Sequence, residues 1–205
     1  MSARAFAPPD QQPAGFAFSD KNLALAQRVI ARYPKGRQAS AVLPLLDLAQ
    51  RQHHGWLPAA AIRAVAALLA IPEIRAFEVA SFYTMFNLAP VGRHLVQLCR
   101  TTPCWLRGSD EVRQTCERHL GITLGETTKD GKFTLVEVEC LGACVNAPVV
   151  QINDDLYEDL DAGRTRAVLE ALARGEKPGI GSQDPKRKLS APVSGPTTLT
   201  TAEVS

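Results

Sequence analysis

Hydrophobic residues in the first ninety positions recur every three or four residues, the spacing that places them on one face of a helix. Ser19 and Asp20 are typical capping residues before the first such run. The pattern predicts four helices, at about 23–33, 41–53, 59–69 and 72–79. The third is apolar on nearly every side, which favours a position at the centre of a small helical bundle.

The pattern changes after about residue 90, where shorter apolar runs alternate with turn residues. It predicts strands at 94–99, 133–139, 148–152 and 156–157, with helices at 106–120 and 162–174. The order of these elements predicts an α/β unit of about eighty residues. The predicted organisation is therefore a flexible segment 1–18, a helical bundle 19–90, an α/β domain 91–178 and a disordered tail 179–205, which is rich in Pro, Ser, Thr and Gly.

Composition narrows the possible function classes. Of the 205 residues, 45% are hydrophobic and 21% charged, which is ordinary for a globular protein. A net charge of +2 is too small to indicate a nucleic-acid partner, and no apolar run approaches the ~20 residues that cross a membrane. The first residues do not resemble a secretory signal, so we expect a cytosolic protein whose thiols stay reduced. Its five cysteines then indicate metal binding or reactivity rather than disulfides.

Four of the cysteines form two pairs, each directly after a predicted strand. Cys99 and Cys104 have the spacing C-x4-C, and Cys140 and Cys144 have the spacing C-x3-C. Strands that end at the same edge of a sheet would bring four thiolates around one site. Cys116 lies inside a predicted helix, where we expect a small buried hydrophobic residue.

The spacing leaves three interpretations open. A two-iron cluster needs two thiolates at each iron, which two pairs would supply. Structural zinc also accepts four cysteines in pairs, and the cysteines could simply be buried or redox-active. The cysteine run of bacterial cubane ferredoxins is absent, as is any C-x-x-C dithiol. No acid–base pair, nucleophile triad or phosphate loop stands out, so we predict no catalytic residue.

Three further features of the sequence lead to predictions. Arg100 and Arg107 either offset the charge of a cluster or are ordinary surface residues. The aromatic segment 81–86 is predicted to lie in a core or at a domain junction, with a partner contact as the alternative. The acidic run 154–161 is predicted to be a turn and the solvated start of a helix.

Five sequence segments together resemble a known family. They are SAVLPLLDLAQ, GWLP, VASFYTMF, CRTTPCWLRGS and VECLGACVNAPVV, in this order. They resemble the two-iron ferredoxin subunit of respiratory NADH:quinone oxidoreductase (complex I), the E subunit of the bacterial enzyme, over about residues 16–178. The resemblance implies an α+β fold in which a small helical bundle precedes a thioredoxin-like ferredoxin domain. It also implies that the cluster ligands are Cys99, Cys104, Cys140 and Cys144.

The same resemblance implies an electron-transfer function. One [2Fe-2S] cluster would exchange single electrons with FMN on a partner flavoprotein subunit, which would also bind NADH. Other peripheral-arm subunits of complex I would be further partners, with no nucleic acid and no direct membrane insertion. The protein would lie peripherally on the cytoplasmic side of the bacterial inner membrane. The alternatives are the corresponding ferredoxin subunit of an NAD-linked formate dehydrogenase or hydrogenase and, from another class, a zinc-stabilised interaction module.

Overall fold

The computed structural model describes residues 5–187 and divides the chain into two units, Met1–Val91 and Gly92–Ser205. The first unit consists of helices and the second combines helices with a five-stranded sheet. Within the described residues, no helix has both the length and the apolar character needed to cross a membrane.

The first unit contains the four helices that the apolar spacing predicts. They are α1 (Asp20–Ala31), α2 (Val42–Gln52), α3 (Ala59–Leu69) and α4 (Glu73–Phe82). Ser19 caps α1, since its hydroxyl accepts a hydrogen bond from the Asn22 backbone N–H at 3.3 Å. Helix α4 continues three residues beyond the predicted end.

The core of this unit forms around α3, as its apolar circumference predicts. Ala61, Ile62, Val65 and Ala66 of α3 are fully buried, together with Leu45 and other residues of the neighbouring helices. Phe86 is also fully buried, whereas Phe82, Tyr83 and Met85 of the same segment are exposed. The segment 81–86 therefore contributes one aromatic anchor to the core rather than a buried cluster.

The described part of the segment before α1, from residue 5 onwards, makes contacts that the prediction of a flexible segment 1–18 did not include. The Ala7 backbone N–H donates to the Leu88 carbonyl at 2.9 Å, and Ala7 is buried. Gln12 donates to the Ala7 carbonyl and accepts from the Ala59 backbone N–H at 3.0 Å. Phe16 and Phe18 pack against the helical core. The contacts with Leu88 and Ala59 are long-range and leave no periodic pattern, which explains why the sequence does not reveal them.

The second unit is built on a mixed sheet. Its strands are β1 (His94–Cys99), β2 (Phe133–Val138), β3 (Val150–Ile152), β4 (Asp155–Glu158) and β5 (Gly181–Ser182), in the spatial order β2-β1-β3-β4-β5. The pairs β1–β2 and β4–β5 are parallel, and β3 runs antiparallel to both β1 and β4. Its helices are α5 (Thr102–Leu106), α6 (Ser109–Leu120) and α7 (Ala162–Ala173).

Helices α6 and α7 share one core with the sheet. Val112 of α6 and Leu169 of α7 are buried with Val96 and Leu135 of the two parallel strands. Cys116 belongs to the same core, and burial raises the pKa of its thiol to about 12. Its environment is that of a small hydrophobic residue, as predicted.

Three features of this unit differ from their predictions. The helix predicted at 106–120 begins only at Ser109 as α6, and an unpredicted short helix, α5, precedes it and ends at Leu106; Gly108, with φ +95°, separates the two. The acidic run begins in an exposed turn at Asp154 and ends at the exposed cap of α7, Asp161, as predicted, but its middle is buried, since Glu158 and Asp159 are only 2% and 5% exposed. The tail predicted from residue 179 has defined contacts in its described part, because β5 pairs with β4 and Arg187 donates to the Val145 carbonyl. Positions 188–205 lie outside the described residues.

Candidate metal centre

The two cysteine pairs follow parallel neighbouring strands, so they meet at one edge of the sheet. In the register of β1 and β2, Cys99 lies beside Val138, two residues before Cys140. The prediction that the carboxyl ends of these strands converge is therefore confirmed by the topology.

The first pair is buried. Cys99 is the last residue of β1, and Cys104 lies one short turn later in α5. Pro103 stands in the first turn of α5, where its missing N–H costs little. The side chain of Thr101 lies 3.3 Å from the Cys99 sulfur, and the Cys99 and Cys104 thiols are hydrogen-bonding partners.

The second pair is exposed and lies in the loop after β2. The sulfurs of Cys140 and Cys144 are 3.5 Å apart. Two thiolates at ~2.3 Å from one tetrahedral metal are separated by about 3.7 Å, so this pair is close to the spacing that one metal requires. The Gly142 backbone N–H donates to the Cys140 sulfur at 3.4 Å, from a residue with φ +82° that favours glycine.

The loops that carry the two pairs pack against each other. Cys99 and Cys104 are buried in one cluster with Ala143 of the second cysteine loop and with Val149. The Cys99 backbone N–H donates to the Val149 carbonyl at 3.3 Å. The Cys144 thiol is close enough to Cys99 and Cys104 to interact with both electrostatically.

The structure thus brings together the four cysteines that the sequence singles out, with one pair inside and one at the surface. Within residues 5–187, no group of three or more His, Cys, Asp or Glu side chains is arranged to hold a single metal ion. A two-iron cluster has a different requirement, namely two thiolates at each of two irons. The donor set of two thiol pairs at one sheet edge fits that requirement.

The pKa values of three of these thiols are shifted in different directions. Burial opposes ionisation of Cys99, but hydrogen bonds from Thr101, Leu141 and Cys104 outweigh it and lower the pKa of Cys99. Burial and then the hydrogen bond to Cys99 raise the pKa of Cys104 to about 12. The hydrogen bond to Cys140, followed by burial, raises the pKa of Cys144. Because a metal binds thiolates, loading this site must release protons.

The two arginines near the first pair differ in their surroundings. Arg100 donates to Glu137 at 2.7 Å and to Asp110 at 2.9 Å, and these carboxylates raise the pKa of its guanidinium. Its charge is therefore largely balanced by β2 and α6 rather than directed at the cysteines. Arg107 is exposed at the end of α5.

The structure also places an apolar surface beside the cysteines. Trp105, Leu106 and Val145 are 56%, 71% and 65% exposed, although each is within two residues of Cys104 or Cys144. The only signal in the sequence is the presence of large apolar side chains in segments that also carry ligands. We refer to these three residues as the apolar rim.

Comparisons with known proteins show the family of this chain. Residues 26–173 match the family model of the thioredoxin-like [2Fe-2S] ferredoxin. The chain is 60% identical to the E subunit of NADH-quinone oxidoreductase from Rickettsia bellii over 157 residues, which cover 77% of this chain and 94% of the relative. It is 52% identical to the mitochondrial NADH dehydrogenase [ubiquinone] flavoprotein 2 of Dictyostelium discoideum over 184 residues, covering 90% of this chain and 74% of the relative.

A solved structure shares the fold. The crystal structure of an NAD+-reducing [NiFe]-hydrogenase in the air-oxidized state aligns with a TM-score of 0.56 at 24% identity, over 63% of this chain and 23% of the hydrogenase chain. At this identity the likeness concerns the fold alone. The family match and the close relatives carry the assignment and confirm the predicted α+β fold class. The chain belongs to the thioredoxin-like [2Fe-2S] ferredoxin family, which includes the E subunits of NADH-quinone oxidoreductases.

Proposed function

We propose that this chain is the electron-transfer subunit of an NADH:quinone oxidoreductase and that Cys99, Cys104, Cys140 and Cys144 hold its one [2Fe-2S] cluster. The observation that carries the proposal is the meeting of two thiol pairs at the common end of β1 and β2. The 60% identity to the E subunit from Rickettsia bellii supports NADH:quinone oxidoreductase as the complex to which this chain belongs.

The residues of this chain have defined tasks in that function. The cluster, when bound, accepts and gives back one electron. The thiolates of the four cysteines bind it, and the Gly142 N–H donates to one ligand sulfur. Thr101 is placed to do the same for Cys99. Such donors stabilise the negative charge that reduction adds, so they favour the reduced state. Burial of Cys99 and Cys104 keeps water from the inner pair.

The apolar rim supports a partner at the exposed side of the site. Hydride transfer from NADH delivers two electrons to a flavin, whereas this site handles one at a time. We therefore assign FMN and NADH to a partner flavoprotein subunit that covers Trp105, Leu106 and Val145. Exposed apolar residues next to a redox site fit a protein contact, because the contact removes water and shortens the electron path. Further peripheral-arm subunits and a position on the cytoplasmic side of the bacterial inner membrane complete the proposal.

Metal and sulfide analysis tests this function directly. We expect the purified chain to be brown, to contain about two irons and two acid-labile sulfides, and to show the paramagnetic signal of one two-iron cluster after one-electron reduction. A colourless protein that contains zinc would support the interaction module instead. If the protein is brown but its gene lies among those for a hydrogenase or formate dehydrogenase, the chain would be assigned to that complex instead.

Cysteine variants test the ligand set. Cys144→Ser should lose the cluster or change its spectrum, because a ligand sulfur is replaced. Cys116→Ser is the matched control: it should keep the spectrum and lose about 1–3 kcal/mol of stability from a buried hydroxyl without a partner. Loss of the cluster in Cys116→Ser together with an unchanged spectrum in Cys144→Ser would refute the assignment.

A further inference from the structure

The last described residue of the chain, Arg187, contacts the loop that carries the second cysteine pair. Its Nη2 donates to the Val145 carbonyl at 2.8 Å and to the Asn146 Oδ1 at 2.7 Å. Both acceptors directly follow Cys144, and they belong to the short 3-10 helix Cys144–Asn146. A single guanidinium thus binds two oxygens of the exposed ligand loop.

The same guanidinium is fixed by a buried carboxylate. Arg187 Nη1 lies 3.1 Å from Asp159 Oδ1, and the Asp159 side chain is only 4% exposed. The other oxygen, Asp159 Oδ2, accepts from the Ser182 hydroxyl at 2.6 Å, and Ser182 belongs to β5. The planar fork of an arginine suits this task, since it can address a carboxylate and carbonyl oxygens at once.

A second set of contacts joins the ligand loop to β4. The Asp159 backbone N–H donates to the Asn146 carbonyl at 2.7 Å, and the Asn146 side-chain amide donates to Glu158 Oε2 at 2.6 Å. Asn146 and Glu158 are both buried. The loop is therefore attached on one side to the sheet and on the other to Arg187.

The segment that delivers Arg187 is itself attached at several points. Strand β5 pairs with β4 through Tyr157–Gly181 and Glu158–Ser182. Arg164 of α7 donates to the Asp159 carbonyl at 2.8 Å and lies 3.3 Å from Asp184. These contacts give the segment a defined path towards the cysteine loop.

We propose that Arg187 is a positioning residue for the metal centre: it holds the Cys140–Cys144 loop in the conformation that binds the cluster. The proposal rests on the proposed ligand set. Outer contacts that orient metal ligands typically change metal affinity by roughly 10–100-fold when they are removed. Because Cys140 and Cys144 form the exposed pair, loosening their loop opens the side from which a chelator reaches the metal.

The test compares the full-length holoprotein with three variants. Arg187→Ala removes both the fork and its charge, and Arg187→Lys keeps the charge. Lys186→Ala is the matched control, because it removes one positive charge from an exposed neighbouring side chain. The first readout is the rate at which an iron chelator bleaches the cluster absorbance. The second is hydrogen exchange of the backbone amides of residues 140–147.

We expect Arg187→Ala to bleach about tenfold faster than the parent and to exchange faster across 140–147. The bleaching and exchange rates of Arg187→Lys should lie between those of the parent and of Arg187→Ala. The rates of Lys186→Ala should equal those of the parent. Equal bleaching and equal exchange in Arg187→Ala and Lys186→Ala would overturn the proposal. If Arg187→Ala does not fold, Arg187→Lys decides by the same two readouts, and parental values in that variant would overturn it.

The two proposals fail in different ways. A colourless parent protein would refute the proposed function, and loop exchange would then still measure the contact with Arg187. A brown parent with an Arg187→Ala variant of parental behaviour would refute only the role of Arg187.

Discussion

Gly92, two residues before β1, is a position where one added carbon atom would disturb the packing. A Cβ at this residue would lie 2.7 Å from the Phe133 carbonyl carbon and 2.9 Å from the Phe133 nitrogen, both of them backbone atoms. The Gly92 N–H also donates to the Thr134 hydroxyl at 2.6 Å, which fixes the close approach. The backbone at Gly92 and the backbone at Phe133 therefore cannot move apart without breaking the hydrogen bond between Gly92 and Thr134.

We expect Gly92→Ala to lower the free energy of unfolding by about 1–3 kcal/mol, the range for overpacking at a site that cannot relax. Urea denaturation of the holoprotein would measure it. Gly179→Ala is the control, since a Cβ there meets no atom within 4 Å. Similar unfolding midpoints for the two variants would show that the strands adjust freely at Gly92.

At the residue scale, part of the candidate site could be predicted from the sequence and part could not. The four cysteines are identifiable because their spacing and their position after strands are both visible in the sequence. Asp159 and Arg187 are not, because their pairing spans 28 positions and depends on how β4 and β5 are arranged. A charged residue buried by a partner distant in sequence resembles a solvated one until the fold is known.

At the scale of elements, α7 begins at a side-chain cap. Asp161 accepts a hydrogen bond from the Arg164 backbone N–H at 2.7 Å, which satisfies one of the free donors at the helix start. Asp161 also lies 3.5 Å from the Arg164 guanidinium, an exposed ion pair of the kind that contributes little.

Asp161→Ala should therefore cost about 1 kcal/mol of stability, whereas Asp161→Asn should cost only a few tenths, because asparagine caps nearly as well without the charge. Thermal or urea unfolding of both variants distinguishes the two contributions. An asparagine variant as unstable as the alanine variant would assign the effect to the ion pair instead of the cap.

Long apolar runs were predictable and the shortest elements were not. The bounds of β1 and α3 match the predicted 94–99 and 59–69, because each is a run of mostly apolar residues with proline or a charged residue close to both ends. Strand β5 contains only Gly181 and Ser182, which carry no strand signal. The break between α5 and α6 depends on the positive φ of Gly108, and one glycine inside a helical pattern does not by itself end a helix.

At the scale of the whole molecule, each of the two units has its own buried core. The core cluster around α3 contains only residues of the first unit. The clusters around the sheet and around the cysteines contain only residues of the second. The complete proposed ligand set, together with Arg187 and Asp159, lies in that second unit.

A fragment of residues 92–205 should therefore fold and bind the cluster without the helical unit. We expect the 92–205 fragment to be brown, to unfold in one cooperative transition and to give the same reduced-state paramagnetic signal as the full chain. The complementary 1–91 fragment should be helical by circular dichroism and colourless, since it contains no cysteine. A 92–205 fragment that precipitates, or that folds without holding iron, would mean that the second unit needs the first to complete its metal centre.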